Sequence, residues 1–308
     1  MSFAPTTYPF YQVDVFTDKA YYGNPLAVVV LLDTSLPVPT DAQMARLANW
    51  TNLSETTFLL PPTDPSKADY KVRIFSPTSE LLFAGHPTLG TCRTFLEYTK
   101  DKTKYSNSGS KGQEATTTTT RTIVQECGVG LVELLYNIQN DTLAFVAPPL
   151  LKSGPVDPRL IQIACDTMGL DPKTDILDSQ WIVCGPEWFA LVVKDRDTLM
   201  RANSSPTEQS KKLKFGVIAR YPQDQIHDPS TDPLFEVRAF PHISNVTEDP
   251  VCGSFNAGMA QWLIGSGLAP SSYVSSQGTA MGRQGRIYVN RDETGKIWIG
   301  GQTVICVQ

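Results

Sequence analysis

The fold of this chain is decided by two similar stretches, GHPTLGTCRTFLEY at residues 85–98 and CGSFNAGMAQWLIG at residues 252–265. Apolar residues recur in both at the spacing of a buried helix, and each stretch follows a loop with polar residues. Placing Gly85 opposite Cys252 aligns the two stretches. Such self-similarity predicts two halves that repeat one order of elements.

Outward from these stretches, each half contains strand-like runs and a second helix. The first half predicts strands at residues 10–16 and 26–32, a helix capped by Thr40 or Asp41, strands at residues 55–60 and 70–75, the helix of residues 88–100, and strands at residues 130–136 and 143–146. The second half predicts a helix at residues 159–168, strands at residues 181–183, 189–193, 215–219 and 235–240, and a helix at residues 255–267.

A run of Pro and Gly from Pro148 to Pro158 predicts a domain boundary. We expect an N-terminal lobe of residues 1–147, completed by a strand at residues 295–308, and a C-terminal lobe of residues 148–294. The similarity of the two halves predicts two pseudo-symmetric lobes, each with strands and a central, largely buried helix. Residues 101–122, rich in Lys, Ser, Gly and Thr, are predicted to be an exposed loop.

Composition and charge narrow the class of protein. The chain has 308 residues, is 41% hydrophobic, and carries 26 Lys+Arg against 31 Asp+Glu, a net charge of −5. This is typical of a globular protein and argues against a broad basic surface for nucleic acid or an anionic membrane. No apolar run approaches the roughly 20 residues that cross a bilayer, and no secretory signal is recognised, so a cytoplasmic location is expected.

Cofactor and metal motifs are missing from the sequence. The six cysteines form no C-x-x-C pair and have no His at ligand spacing, which argues against a zinc site or a disulfide framework. The glycines at Gly278, Gly282 and Gly285 lack the strand-to-helix setting of a dinucleotide fingerprint. We therefore expect no cofactor and no metal.

Three local groups could carry chemistry, and the first contains Glu55 within NLSETTF. Burial among β-branched and aromatic neighbours would raise the pKa of this carboxyl towards neutrality, where it can take and return a proton. The alternative is an exposed glutamate on an edge strand. The second group contains His86 at a helix start between Gly85 and Pro87, either as a neutral hydrogen-bond donor or as a structural cap.

The third group is EDPVCGS, which contains Asp249, Cys252, Gly253 and Ser254. Pro250 disfavours helix at Asp249, so an extended turn is expected there. Ser254 could cap the following helix or donate to a substrate oxygen. If both helix N-termini point into a cleft between the lobes, their free N–H groups would favour a bound carboxylate or enolate.

In order and spacing, the three groups resemble the phenazine-biosynthesis PhzF family of cofactor-free isomerases. The resemblance spans nearly the whole chain, through YQVDVFTDKAYYGNPLAVVVL, NLSETTFLLPP, FSPTSELLFAGHPTLGT, GPEWFALVV, FPHISNVTEDPVCGS and GTAMGRQGRIYV. It implies the fold of diaminopimelate epimerase, an α+β fold in which each of two pseudo-symmetric lobes is a mixed β-sheet or barrel wrapped around a central helix. It also implies a small-molecule carboxylate substrate bound in an interlobe cleft, and a possible homodimer.

The resemblance also implies residue roles. Glu55 matches the glutamate that moves a proton between substrate carbons, while His86, Asp249 and Ser254 match residues that position the substrate and its ionising groups. Gly85 and Gly253 match glycines that line the same cleft.

Two departures leave alternatives open. Cys252 stands where diaminopimelate epimerases have one catalytic thiol, but Gly85 occupies the place of the other. A thiol-dependent enzyme using Cys252 therefore stays a second interpretation, and a non-catalytic small-molecule-binding or scaffold protein is a third. Phe255 and Asn256 follow Ser254 where the family usually has small residues. We expect Phe255 to narrow or reshape the pocket, which argues against the phenazine precursor as the substrate.

Overall fold

A computed structural model describes residues 6–100, 119–241 and 247–308. The chain divides into two compact units. Unit 1 comprises Met1–Tyr21, Pro25–Phe145 and Gln302–Gln308, and unit 2 comprises Tyr22–Asn24 and Val146–Gly301.

The described part of unit 1 is a closed barrel with two helices. Its strands are β1 (Phe10–Val15), β2 (Asn24–Val30), β3 (Thr56–Leu60), β4 (Tyr70–Phe75), β5 (Glu80–Leu81), β6 (Thr120–Cys127), β7 (Gly130–Asn137), β8 (Thr142–Val146) and the end of β16 (Ile297–Val307). Its helices are α1 (Asp41–Thr51) and α2 (Gly85–Lys100). Neighbouring strands follow the order β1, β2, β3, β4, β6, β7, β8 and β16, and β16 pairs with β1 to close the barrel, with Asp14 opposite Val304.

Helix α2 is the buried helix of unit 1, and it packs against β1, β3 and β4. Close packing depends on Gly90, because a Cβ there would lie 2.6 Å from Leu26 Cδ2. Helix α1 starts at a capping box between Thr40 and Gln43, so Thr40 is the cap of the two predicted candidates. Its buried residues Met44 and Ala48 belong to an apolar cluster with residues of β2, β3 and β4.

The described part of unit 2 is a mixed sheet with three helices. Its strands are β9 (Lys152–Gly154), β10 (Ile176–Val183), β11 (Trp188–Val193), β12 (Lys214–Arg220), β13 (Pro233–Phe240), β14 (Ser272–Gln277), β15 (Gly285–Arg291) and the start of β16. Its helices are α3 (Pro158–Met168), α4 (Arg196–Arg201) and α5 (Gly253–Gly265). The strand order is β16, β15, β14, β13, β12, β11, β10 and β9, with parallel pairs at β11/β12 and β13/β14.

Helix α5 is the buried helix of unit 2, and it packs against β10, β11 and β15. A Cβ at Gly258 would lie 2.2 Å from the carbonyl oxygen of Ile182, so only glycine permits this approach. Helix α3 covers a separate apolar cluster that contains Met168, Phe189 and Phe215. Each unit is thus strands around one buried helix.

The register predicted between the two halves is wrong by one residue. The first helical bond of α2 runs from Thr88 N to Ala84 O, and that of α5 from Asn256 N to Cys252 O, both at 3.1 Å. Gly85 is therefore equivalent to Gly253, and Ala84, not Gly85, is the counterpart of Cys252. Both helices are buried over most of their length, so the apolar pattern alone does not distinguish the two registers.

The predicted helices and strands are present, but several elements were missed. These are the short elements β5, β9 and α4 and the strands β6, β14 and β15. Residues 120–122 belong to β6 and not to the expected loop, because β-branched threonines there pair with β7. Residues 101–118 of that loop lie outside the described residues. Within the described ranges, no helix has the length and apolar character to span a bilayer.

Candidate active site

Glu55 and His86 come together in unit 1. The chain leaves α1 at Asn52 in a left-handed conformation, with φ 55°, and reaches Glu55 immediately before β3. His86 is the second residue of α2. The hydroxyl of Thr91 in α2 donates to that of Thr57 in β3 at 2.8 Å, which ties the helix to the strand that follows Glu55.

The two side chains lie close together and are largely removed from water. His86 Nε2 is 3.4 Å from Glu55 Oε2, and their side chains are 7% and 18% exposed. Glu55 Oε2 accepts no hydrogen bond from any described residue. Burial raises the pKa of Glu55 to about 7, although the nearby Ser54 hydroxyl lowers it in part. The burial of Glu55 argues against the alternative of an exposed glutamate on an edge strand.

Asp249 is held in an extended loop of unit 2, as predicted. Its N–H donates to Ala239 O at 2.9 Å, in an isolated bridge to β13. Its carboxylate oxygen Oδ1 accepts from Asn24 Nδ2 at 2.9 Å and from the N–H of Val251 at 3.1 Å. Gln277 Nε2 donates to the carbonyl of Asp249 at 3.0 Å. Hydrogen bonds from Asn24 and Gln277 and to Ala239 therefore fix the loop before α5 begins.

Glu248, the residue before Asp249, anchors the same loop. Arg238 in β13 donates to both of its carboxylate oxygens, at 2.9 and 2.7 Å. The Arg238 guanidinium also donates to the carbonyls of Leu199 and Ala202. The side chains of Arg238 and Glu248 are 6% and 11% exposed, so this is a buried, bidentate ion pair. The ion pair fixes Glu248, and with it the start of the Asp249 loop, against β13.

Ser254 does not cap α5, contrary to one of the two interpretations left open above. The N-cap residue is Cys252, which makes no side-chain capping bond. The Ser254 hydroxyl instead accepts a hydrogen bond from Trp188 Nε1 at 3.0 Å and lies 3.5 Å from Cys252 Sγ. A hydroxyl that accepts one bond retains its own hydrogen to donate.

Phe255 does not narrow a pocket, and that expectation is wrong. The side chain is fully buried in unit 2 and meets the ring of Trp188 edge to face, with 5.5 Å between centroids. A Cβ at Gly216 would lie 2.4 Å from the Phe255 ring. The glycine in β12 provides the space that a small residue at position 255 would not require. Phe255 thus supports Trp188 from the interior.

Cys252 lies at a helix N-terminus but is only 5% exposed. Burial raises the pKa of its thiol well above the ordinary value, and the carboxylate of Asp249 raises it further. A low-pKa thiolate is therefore disfavoured. Within the described ranges, no three His, Cys, Asp or Glu side chains cluster as metal ligands would.

Asn24, Trp188, Gln277 and Asn256 were not recognised from the sequence. Gln277 Oε1 accepts from Cys252 N–H at 3.1 Å and from Asn256 Nδ2 at 2.9 Å. Asn24 and Asp249 are 225 positions apart, so no local pattern links them. One signal was available in the glycine run. A Cβ at Gly278, where φ is 90°, would lie 2.7 Å from Pro250 O, so this glycine lets β14 end close against the loop.

Comparison with known proteins identifies the family. A sequence model of the PhzC-PhzF family, described as "Phenazine biosynthesis-like protein", matches residues 13–308. The chain belongs to this family. The fission yeast Schizosaccharomyces pombe has a PhzF relative, "Antisense-enhancing sequence 1", that is 30% identical, with 98% of each chain covered. An "uncharacterized isomerase" of Pasteurella multocida is 27% identical, covering 97% of this chain and 92% of the relative.

A shorter match has a more specific name. The "trans-2,3-dihydro-3-hydroxyanthranilate isomerase" of Pseudomonas fluorescens is 42% identical over 93 residues, 30% of this chain and 31% of that one. Relatives along the whole chain and in this segment are thus named isomerases. At the level of reaction class, the chain is an isomerase of the PhzF type, as predicted.

Solved structures confirm the predicted fold class. A PhzF family protein from Enterococcus faecalis superposes with a TM-score of 0.70 at 24% identity, covering 97% of both chains. A hydroxyproline epimerase from Agrobacterium vitis, solved with bound trans-4-hydroxy-L-proline, has a TM-score of 0.52 at 14% identity and covers 97% of this chain and 89% of the epimerase. The fold is therefore the α+β, diaminopimelate epimerase-like fold that the resemblance implied.

Proposed function

We propose that this protein is a cofactor-independent isomerase or epimerase that moves a proton on a small cyclic or amino carboxylate, with Glu55 as the proton carrier. The observation that carries the proposal is the buried pair in unit 1: a carboxyl whose pKa is about 7, with Oε2 3.4 Å from His86 Nε2. A general base is most effective when its pKa lies near the working pH.

In the proposed reaction, Glu55 takes a proton from a carbon next to an electron-withdrawing group and returns it to another carbon or another face. The electron pair of the broken C–H bond passes into an enolate or a related anion, and it returns to carbon when the proton does. His86 donates to the substrate or its anion beside Glu55. No external acid, base or oxidant is consumed.

In this proposed reaction, the Asp249 loop and the start of α5 in unit 2 hold the substrate. Asp249 and the Ser254 hydroxyl bind its polar groups, while Gly85, Cys252 and Gly253 contact it at the helix starts. The N–H groups at the start of a helix favour an anion, and oriented donors of this kind are commonly worth about 3 kcal/mol each in a transition state. The interlobe cleft expected from the sequence stays a prediction.

The substrate class is inferred from the relatives and from the chemistry of the site. The Pseudomonas fluorescens relative is named for a dihydro-hydroxyanthranilate and the Agrobacterium vitis structure holds trans-4-hydroxy-L-proline. Both compounds are cyclic amino carboxylates, which makes them the first probes to use. The buried position of Phe255 removes the reason for excluding a phenazine precursor.

The thiol-dependent alternative is less well supported. It requires a thiolate at Cys252, whereas burial and Asp249 both raise the pKa of this thiol. The homodimer and the cytoplasmic location stay predictions, and size-exclusion chromatography with light scattering tests the first.

Proton exchange tests the proposed function. The protein is incubated in D₂O with each of the two cyclic amino carboxylates, and loss of substrate C–H signals is followed by proton NMR. We expect deuterium incorporation by the wild type and a loss of at least about 100-fold in Glu55→Gln, within the range for removal of a general base. Exposed Glu133 lies in β7, and Glu133→Gln is the matched control.

Two outcomes would count against the proposal. Wild-type exchange in folded Glu55→Gln would remove Glu55 from the proton transfer. Saturable binding of a carboxylate without any exchange would identify a small-molecule-binding protein, the non-catalytic alternative.

A further inference from the structure

A polar cavity lies entirely within unit 2, lined by residues that the proposed function does not use. Its volume is about 460 Å³, and three arginines line it: Arg196, Arg283 and Arg286. Arg196 comes from the start of α4, whereas Arg283 and Arg286 lie three residues apart, in the turn after residues 279–281 and at the start of β15. None of the residues assigned to the proposed active site lines this cavity.

Hydroxyl groups complete the lining. Tyr221, Ser276 and Thr279 contribute them beside the arginines. Ser276 is 1% exposed, and its Oγ accepts from Arg286 Nη1 at 3.0 Å. The Tyr221 hydroxyl donates its hydrogen to Glu236 Oε2, so Ser276 and Thr279 are the two hydroxyls that can donate to a ligand oxygen. The cavity therefore combines three cations with two hydroxyl donors.

Positive charge exceeds negative charge around the cavity. No Asp or Glu is among its lining residues in the described chain. One carboxylate contacts the lining residues from the protein interior. Glu236 is fully buried, and its Oε2 accepts from Tyr221 OH at 2.6 Å and lies 3.8 Å from Arg196 Nε. Glu236 lies beside Arg196, and the lining residues themselves carry three positive charges and no negative one, so the cavity favours an anion.

The arginines are held in place by contacts other than a ligand. Arg286 Nη1 also donates to Gly285 O at 3.0 Å, and Arg283 Nη1 donates to Gly23 O at 3.3 Å. The guanidinium carbon of Arg196 lies 5.0 Å from the ring centroid of Tyr221. Side chains that are already ordered lose less conformational entropy when a ligand binds.

We propose that this cavity binds a phosphate group, either as free phosphate or on a small phosphorylated molecule. A planar carboxylate presents two oxygens and is matched by one bidentate guanidinium. Three guanidinium groups from two parts of the chain, together with hydroxyls, suit a tetrahedral group whose oxygens point in several directions. The cavity shares no lining residue with the proposed proton-transfer site.

Calorimetric titration with inorganic phosphate tests the proposal, with NaCl holding the ionic strength constant. We expect saturable binding to the wild type and binding at least about tenfold weaker in both Arg196→Gln and Arg286→Gln, consistent with loss of a charge-assisted hydrogen bond of about 1.5–3 kcal/mol. Arg291 is exposed and lies in β15 with Arg286, so Arg291→Gln is the matched control and should stay within twofold of the wild type. Thermal melts establish that each variant is folded.

Two further measurements distinguish this site from other anion sites. Ser254→Ala should bind phosphate as the wild type does. Weaker phosphate binding by this variant would show that the anion binds at the proposed active site and would overturn the proposal. Malonate should bind more weakly than phosphate, and tighter malonate binding would contradict a phosphate site. Absence of saturable phosphate binding, or equal weakening in Arg291→Gln, would also overturn it. A phosphorylated sugar titrated in parallel distinguishes a phosphate ester from the free ion.

Discussion

Glu55 Oε2 lies 3.4 Å from His86 Nε2, and the two residues reach this distance from different elements of one unit. Glu55 ends the connection between α1 and β3, while His86 lies in the first turn of α2. The Thr91–Thr57 hydrogen bond fixes that helix on that strand. The packing of other residues thus fixes the proposed proton carrier, as expected of a preorganised site.

The first prediction concerns pH and stability. Because burial raises the pKa of Glu55 from 4.5 to about 7, the fold favours the protonated carboxyl. This contribution to stability is complete below pH 4.5 and is lost as the pH rises through 7. Relative to the wild type, Glu55→Gln should therefore gain at most about 3 kcal/mol between pH 4.5 and pH 8. Urea unfolding at several pH values measures the difference, and a pH-independent difference would contradict the raised pKa.

The second prediction concerns Trp188, whose indole N–H donates to the Ser254 hydroxyl at 3.0 Å. Trp188→Phe removes this donor and keeps an aromatic ring beside Phe255. We expect kcat/KM for proton exchange to fall about fivefold, the equivalent of a hydrogen bond of about 1 kcal/mol. Trp298→Phe removes an indole donor to Asp292 in another part of unit 2 and should leave kcat/KM unchanged. Equal effects in the two variants would exclude a specific role for Trp188.

The third prediction concerns the packing of α5. Gly258→Ala would place a methyl group 2.2 Å from Ile182 O, a backbone atom that cannot rotate away. We expect a loss of at least about 2 kcal/mol in the free energy of unfolding, or failure to fold. Gly265 lies at the exposed end of the same helix with nothing within 4 Å of its Cβ position, so Gly265→Ala should be neutral or slightly stabilising. Comparable stabilities of the two variants would contradict the close helix–sheet contact.

The fourth prediction concerns cysteine reactivity. Cys252 is buried and its pKa is raised, whereas Cys127 and Cys306 are half-buried. Iodoacetamide at neutral pH should therefore label Cys127 and Cys306 before Cys252, and Cys252→Ala should retain most of the exchange activity. Mass spectrometry of the labelled peptides gives the order. Preferential alkylation of Cys252 with loss of activity would favour the thiol-dependent interpretation.

The sequence predicts the elements whose apolar residues repeat regularly. Helices α2 and α5 and strands such as β4 have this regularity, and each is present. Strand β14 was missed because Ser275, Ser276 and Gln277 are polar but buried. The polar side chain of Gln277 makes hydrogen bonds to the backbone of Asp249 and Cys252, and a polar residue at this position interrupts the apolar pattern by which a buried strand is recognised. A functional contact here outweighs the local pattern.

The proposed site was only partly visible in the sequence. The motifs around Glu55, His86 and Asp249 are local and could be recognised. Their supports are not local: Asn24 and Asp249 are 225 positions apart, and Trp188 and Ser254 are 66 apart. Phe255 was misread because the space that accepts it comes from Gly216 on another element.

The most direct test of the central claim is the titration of the Glu55 carboxyl carbon by ¹³C NMR in protein labelled at its glutamates. Comparison with Glu55→Gln assigns the resonance. We expect one glutamate signal, absent from the variant, that titrates with a pKa of about 7. A Glu55 resonance that titrates near the ordinary value of about 4.3 would show a solvated carboxylate and would contradict its role as the proton carrier.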